Sequence, residues 1–224
     1  INRGLWGVTI GGTETLGSAT SIPETAWVLS AGALAAPAAE EALTIGFRRG
    51  VPVSLNGEAL GPVALIEALE ARGARFGIGR GIHLGDTVLG TKGRVAFESP
   101  AAEILLSCHR ELEKLTLSAL QQRIKDQVSQ AYGDFVHEGK QLDPVCRDIE
   151  ALLEASQARV SGAAHCVLRP GHLFVTGVES DHSLMAASRG RYGEAVGEWT
   201  AADAVGFSRI LALPGMLHTR AHGG

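Results

Sequence analysis

Apolar and polar residues alternate at period two through residues 43–55, in the stretch L-T-I-G-F-R-R-G-V-P-V-S-L. Successive side chains of a strand point to opposite faces, so the alternation on both sides of Arg49-Gly50 predicts a β-hairpin, and Asn56-Gly57 supplies a second turn. The period then changes. After Gly61-Pro62, the residues Val63, Leu65, Ile66 and Leu69 recur at helical spacing, and a proline at the first helical position fits a helix that ends near Gly73. Residues 77–98 read as short strands joined by glycines. Three helical stretches are predicted next, at 101–115, 118–136 and 144–158, the last with a buried stripe of Cys146, Ile149, Leu152 and Leu153. Residues 160–168 and 172–178 bracket Arg169-Pro170-Gly171 as a further hairpin. A helix over 201–213, ended by Pro214, closes the pattern.

Two segments carry no clear period. Residues 1–30 are rich in Gly, Ser and Thr, with Trp6 and Trp27 scattered among them, and read as ordered but irregular chain crossing a surface. Residues 31–41 are alanine-rich around Pro37 and read as a connector or short helix. Strands and helices mix without a regular βα alternation, which predicts an α+β fold.

Composition narrows the function. The chain has 224 residues, 45% hydrophobic, enough to bury a core. Its formal net charge of -4 offers no general basic field for nucleic acid or anionic lipid, so small molecules and proteins are the expected partners. Cys108, Cys146 and Cys166 lack C-x-x-C spacing, and no run is long enough to span a bilayer, which suggests reduced thiols in a cytoplasm. The chain opens on Ile1 in mid-motif, and a piece upstream is expected.

Few motifs promise chemistry on their own. Gly11-Gly12-Thr13-Glu14-Thr15 invites comparison with an ATP-wrapping S-G-G-x-D-[ST] loop, but Ile10 stands for the serine and Glu14 for the aspartate, and a glycine turn is the better reading. Gly77-Ile78-Gly79-Arg80-Gly81 lacks the long helix and later acidic residue of a dinucleotide fingerprint. The eight histidines form no convincing i, i+4 ligand pair, so no metal site is expected. Gly90-Thr91-Lys92-Gly93-Arg94 and Phe97-Glu98-Ser99-Pro100 place two cations, a carboxylate and a hydroxyl around a strand-to-helix junction, with Ser99 suited to cap the helix. On composition alone the better reading is that Lys92 and Arg94 are solvated strand residues and Ser99 only a cap.

Taken together, these strings resemble the argininosuccinate synthase family over nearly the whole chain. The resemblance is carried by Gly4-Leu5-Trp6-Gly7-Val8-Thr9-Ile10, Gly50-Val51-Pro52-Val53-Ser54-Leu55-Asn56-Gly57, Gly77-Ile78-Gly79-Arg80 and the two junction motifs above. Asp203-Ala204-Val205-Gly206-Phe207 and Leu213-Pro214 also fit. It implies an ATP-dependent ligase, cytoplasmic and homotetrameric, that joins citrulline to aspartate with loss of AMP and pyrophosphate. By the same resemblance, residues 1–198 are the substrate-binding part and 199–224 an oligomerisation helix and tail. ATP, with Mg, and aspartate would be held mainly by a domain upstream.

The resemblance assigns citrulline contacts to Thr9, Gly85, Asp86 and Phe97, and names no catalytic residue. Thr9 keeps the hydroxyl of the family's serine. Phe97 stands where the family has a tyrosine, a loss of one hydrogen bond worth about 1 kcal/mol. Gly85 falls on the family's glutamate, with Asp86 beside it. Three readings follow: Asp86 takes the ammonium of citrulline in one pocket with Thr9 and Phe97, the substrate is acylated on its α-nitrogen, or the chain is a non-catalytic binding or assembly module.

Overall fold

The computed structural model describes residues 1–188 and 198–223, and the chain divides into two compact units, Ile1–Ser183 and Leu184–Gly224. Antiparallel sheets and helices mix in the first unit, as an α+β fold requires.

The larger sheet carries the predicted alternation. Strands β3 (Glu41–Arg48) and β4 (Val51–Leu55) form a hairpin, and β5 (Glu58–Ala59) adds to β4. Arg49 and Gly50 both take positive φ, as do Asn56 and Gly57, which is the backbone of two-residue turns that match strand twist. Strands β8 (Gly162–Arg169) and β9 (His172–Glu179) complete the order β5-β4-β3-β8-β9. Leu43, Ile45 and Phe47 of β3 share one buried face with Ala164, Cys166 and Leu168 of β8. Against it lie α1 (Pro62–Ala74) and α2 (Pro100–Thr116), which contribute Leu65, Leu69, Ile104, Cys108 and Leu112, and the fully buried Phe76 fills the space between.

Helices α3 (Ala119–His137) and α4 (Pro144–Gln157) start where their caps predict, at Ser118, whose hydroxyl accepts from Gln121 N, and at Asp143, which accepts from Val145 N. α3 buries none of its side chains and is tied on by polar contacts, Lys125 to Glu113 at 3.2 Å and Tyr132 to Glu150 at 2.6 Å. The stripe of α4 is narrower than its spacing suggests. Cys146 and Ile149 are buried, whereas Leu152 is 39% exposed.

The smaller sheet has the order β1-β2-β7-β6, from β1 (Asn2–Gly4), β2 (Gly7–Ile10), β6 (Arg80–Asp86) and β7 (Lys92–Glu98). The first ten residues are therefore a hairpin rather than irregular chain. Four residues with only Val8 and Ile10 buried are too short an alternation to stand out among glycines. Residues 31–40 form turns and coil, without a helix, before β3. Ser99 occupies the cap position of α2, but its hydroxyl makes no cap bond; the first turn closes through Glu103 N to Ser99 O at 3.0 Å.

The second unit holds α5 (Leu184–Ala187) and α6 (Ala201–His222). Thr200 and Asp203 cap α6 reciprocally, and the helix runs through Pro214 to a left-handed Gly223. Pro214 does not end it, because a proline deletes one N–H and leaves the following residues free to continue the helix. The sequence reads as polar and glycine-rich over 189–198, of which 189–197 lie outside the described residues.

Candidate functional site

β7 is central to the smaller sheet and sends alternate side chains to two different tasks. Toward the inner side point Ala96 and Glu98, with Val8 and Ile10 from β2, forming a small core with Ile22 and Trp27. Glu98 is 1% exposed, yet its carboxylate is fully engaged. It accepts from the backbone N–H groups of Val28, Leu29 and Ser30 at 2.6, 2.8 and 2.9 Å and from the Ser30 hydroxyl at 2.5 Å. Ser30 Oγ in turn accepts from Arg80 Nε at 2.6 Å. The Arg80 guanidinium grips Glu24 at 2.7 and 2.9 Å and lies 4.7 Å from the Trp27 ring centre. Burial pushes the Glu98 carboxyl up, but the Ser30 hydroxyl and the three amides outweigh it and hold it below the ordinary carboxylate range. The bond from Arg80 likewise holds Glu24 low. Arg94 is not a solvated strand residue; it donates to the carbonyls of Gly17 and Thr20, binding the same N-terminal segment to the sheet.

The other side of the sheet is the candidate face. Thr9 pairs directly with Phe97, and Phe97 with Gly81, so the three share one side. A Cβ at Gly81 would collide with the Phe97 ring, which lies across the glycine. His83 and Gly85 follow on this side by strand parity, and a Cβ at Gly85 would meet the His83 imidazole. The glutamate position of the resemblance is thus empty of a side chain and covered by a histidine.

Asp86 is not brought to this face. Adjacent strand residues point to opposite sides, and Asp86 stands across from Lys92 and pairs with it at 2.5 Å, both well exposed. The structure therefore unites Thr9, Gly85 and Phe97 and separates Asp86 from them. In the sequence Glu98 and Arg80 stand only as members of motifs, without the roles the structure gives them, and His83 is not singled out. For His83 the signal was available, since it lies two residues before Gly85 and must share its side.

A nucleotide cradle does not fit here. Gly11 and Gly12 follow β2 but lead into a single turn at Thr13–Thr15, closed by Thr15 Oγ1 donating to Gly12 O at 2.9 Å, with no long helix whose amino terminus could meet phosphates. Among the described residues no group of His, Cys, Asp and Glu could hold a metal ion, and no helix is long and apolar enough to cross a membrane. Cys108, Cys146 and Cys166 are buried free thiols.

Glu98→Gln replaces an acceptor with an amide that presents an N–H to one of these donors, and should cost about 1–3 kcal/mol in urea unfolding at neutral pH. The folded carboxyl titrates below its ordinary value of 4.5, so its contribution is complete above that value and is lost as pH falls through the lower folded-state value. The wild type should lose stability in that acid window more steeply than the variant. Parallel pH profiles would contradict a charged, hydrogen-bonded Glu98.

Comparison with known proteins agrees with the motifs. The family profile described as Arginosuccinate synthase C-terminal domain matches residues 1–218. The chain is 34% identical to an argininosuccinate synthase of Xanthomonas campestris pv. campestris, aligned over 98% of this chain and 55% of that protein. It is 41% identical to one from Burkholderia pseudomallei, over 80% of this chain and 44% of that protein. The corresponding figures for the Methanothermobacter thermautotrophicus protein are 38%, 82% and 46%. The chain thus spans about half the length of the curated relatives it matches. With the motifs, the pairing of Thr9 and Phe97, and the profile match in agreement, the chain belongs to the argininosuccinate synthase family and corresponds to its C-terminal domain.

Proposed function

We propose that this chain is the substrate-side part of an ATP-dependent carbon–nitrogen ligase that joins citrulline and aspartate to argininosuccinate in arginine biosynthesis, in the cytoplasm. The face bearing Thr9 and Phe97 receives citrulline. What supports this most is that two positions far apart in sequence, assigned to citrulline by the resemblance, are direct cross-strand partners on one side of a sheet. Thr9 is exposed there and offers a hydroxyl that can donate or accept. The Phe97 ring gives the aliphatic chain of citrulline an apolar wall. ATP, with Mg, and aspartate are bound mainly by sequence outside this chain, and the contribution of these residues is to hold and orient one reactant.

α6 supports the assembly part of the reading. Val205, Phe207, Ile210, Leu211, Leu213 and Leu217 are each at least 49% exposed, which puts apolar surface on more than one side of the helix. We assign it to contacts between subunits of a homotetramer.

Thr9→Val, in the complete enzyme, should weaken citrulline binding about fivefold, the worth of about 1 kcal/mol for one hydrogen bond. Asp86→Asn should leave that affinity unchanged, since its carboxylate serves Lys92 on the opposite side. The reverse pattern in a binding titration would remove citrulline from the Thr9 face.

Truncation after Gly197, followed by light scattering, tests the assembly role. A folded species of smaller oligomeric mass is expected. A folded chain of unchanged mass would refute it.

A further inference from the structure

A cavity of about 330 Å³ opens beside Phe97, at the margin of the candidate face. Its walls come from the turn before β6, from the β7–α2 junction and from the β8–β9 turn, through Gly79, Phe97, Glu103, Gly171, His172 and Leu173. Backbone builds the hollow. Gly79 and Gly171 have φ of +78° and +70°, and a Cβ at Gly79 would strike the backbone of Ser99 and Pro100. The β8–β9 turn is fixed in place by Gly171 N donating to Phe76 O at 2.7 Å, and the turn before β6 by Ser99 N donating to Gly79 O at 2.9 Å.

The charges around this hollow are uneven. Arg80 also lines it, but its guanidinium is already paired with Glu24, bonded to Ser30 and set against the Trp27 ring, with 12% of its side chain exposed. Glu103 has no ion pair among the described residues, and its one hydrogen bond comes from Ser107 Oγ at a long 3.5 Å. A carboxylate without a counter-ion, beside an aromatic ring and an imidazole with a lone pair to offer, matches the needs of an ammonium group. The carboxylate accepts charged N–H donors, the imidazole accepts another, and the ring face attracts the cation. Neither Gly85, which has no side chain, nor Asp86, which faces the other way, offers such a carboxylate.

We propose that this cavity takes the α-ammonium of the substrate's amino-acid end, with Glu103 as its counter-ion and His172 as a second acceptor. The inference rests on the reading of the Thr9 and Phe97 face as the citrulline site, and it makes the unmodified amino acid, rather than an N-acylated one, the substrate. Glu103 and His172 are binding residues that set this preference.

The test follows backbone amide resonances of the 15N-labelled chain during titration with L-citrulline and with Nα-acetyl-L-citrulline, in the wild type and in Glu103→Gln. Free citrulline should shift the amides of Gly79, Glu103 and Gly171, and the Glu103→Gln chain, with its spectrum otherwise dispersed as in the wild type, should bind about tenfold more weakly for want of one charge-assisted bond. The acetylated ligand, with no ammonium, should leave those amides in place. Equal affinity in the two proteins, or equal shifts from the two ligands, overturns the proposal. Should citrulline shift Thr9 and Phe97 but not the cavity amides, the ammonium site falls while the substrate face stands. Absence of shifts at both places overturns both.

Discussion

The carboxylate of Glu98 is the constraint on which the smaller sheet depends. It sits at the end of β7, 1% exposed, and four hydrogen bonds from residues 28–30 surround it. A buried charge of this kind is tolerable only while it is fully hydrogen-bonded, so the segment that supplies the donors cannot drift from the strand that supplies the acceptor. Ser30 passes the constraint on to Arg80 of β6, and Arg80 passes it to Glu24 and Trp27. Segment 28–30 and β6 are thereby held at the end of β7, and with this network on the inner side of the sheet, the outer side is left to present Thr9, Phe97 and the glycines of β6.

That outer side is defined as much by missing side chains as by present ones. Gly81 lets the Phe97 ring lie flat across β6, and Gly85 lets His83 do the same one step along. Replacing either glycine would lift an aromatic ring from the sheet and change the shape of the face. The result is a surface with a hydroxyl, a phenyl ring and an imidazole, whose margin holds the cavity lined by Glu103 and His172. Under the ammonium-site proposal, charge recognition lies with the first turn of α2 and the β8–β9 turn rather than with the strand.

Much of this was legible in the residues. The 43–55 alternation and its two turns, the proline start of α1 and the Ser118 and Asp143 caps are local signals, and local structure follows them. β1 and β2 carry little local signal, because they are stabilised by pairing with each other and by the pairing of β2 with the distant β7, not by a pattern of their own. Glu98 was visible only as one of several charged residues near a junction, since nothing local shows that its partners lie some seventy positions earlier. Asp86 illustrates a different error. Nearness in sequence to Gly85 suggested a substitute carboxylate, but strand parity sends neighbours to opposite sides, and a one-residue displacement is the least favourable one possible. Pro214 does not end α6, because the loss of one donor is a local penalty that the rest of the helix outlasts.

The claim that ties these observations together is that the outer side of the smaller sheet holds the ureido amino acid. A crystal structure of this chain soaked with citrulline addresses it directly. Ligand density should lie against Thr9 and Phe97. Density on the Asp86 and Lys92 side of the sheet, with Thr9 and Phe97 bare, would contradict it.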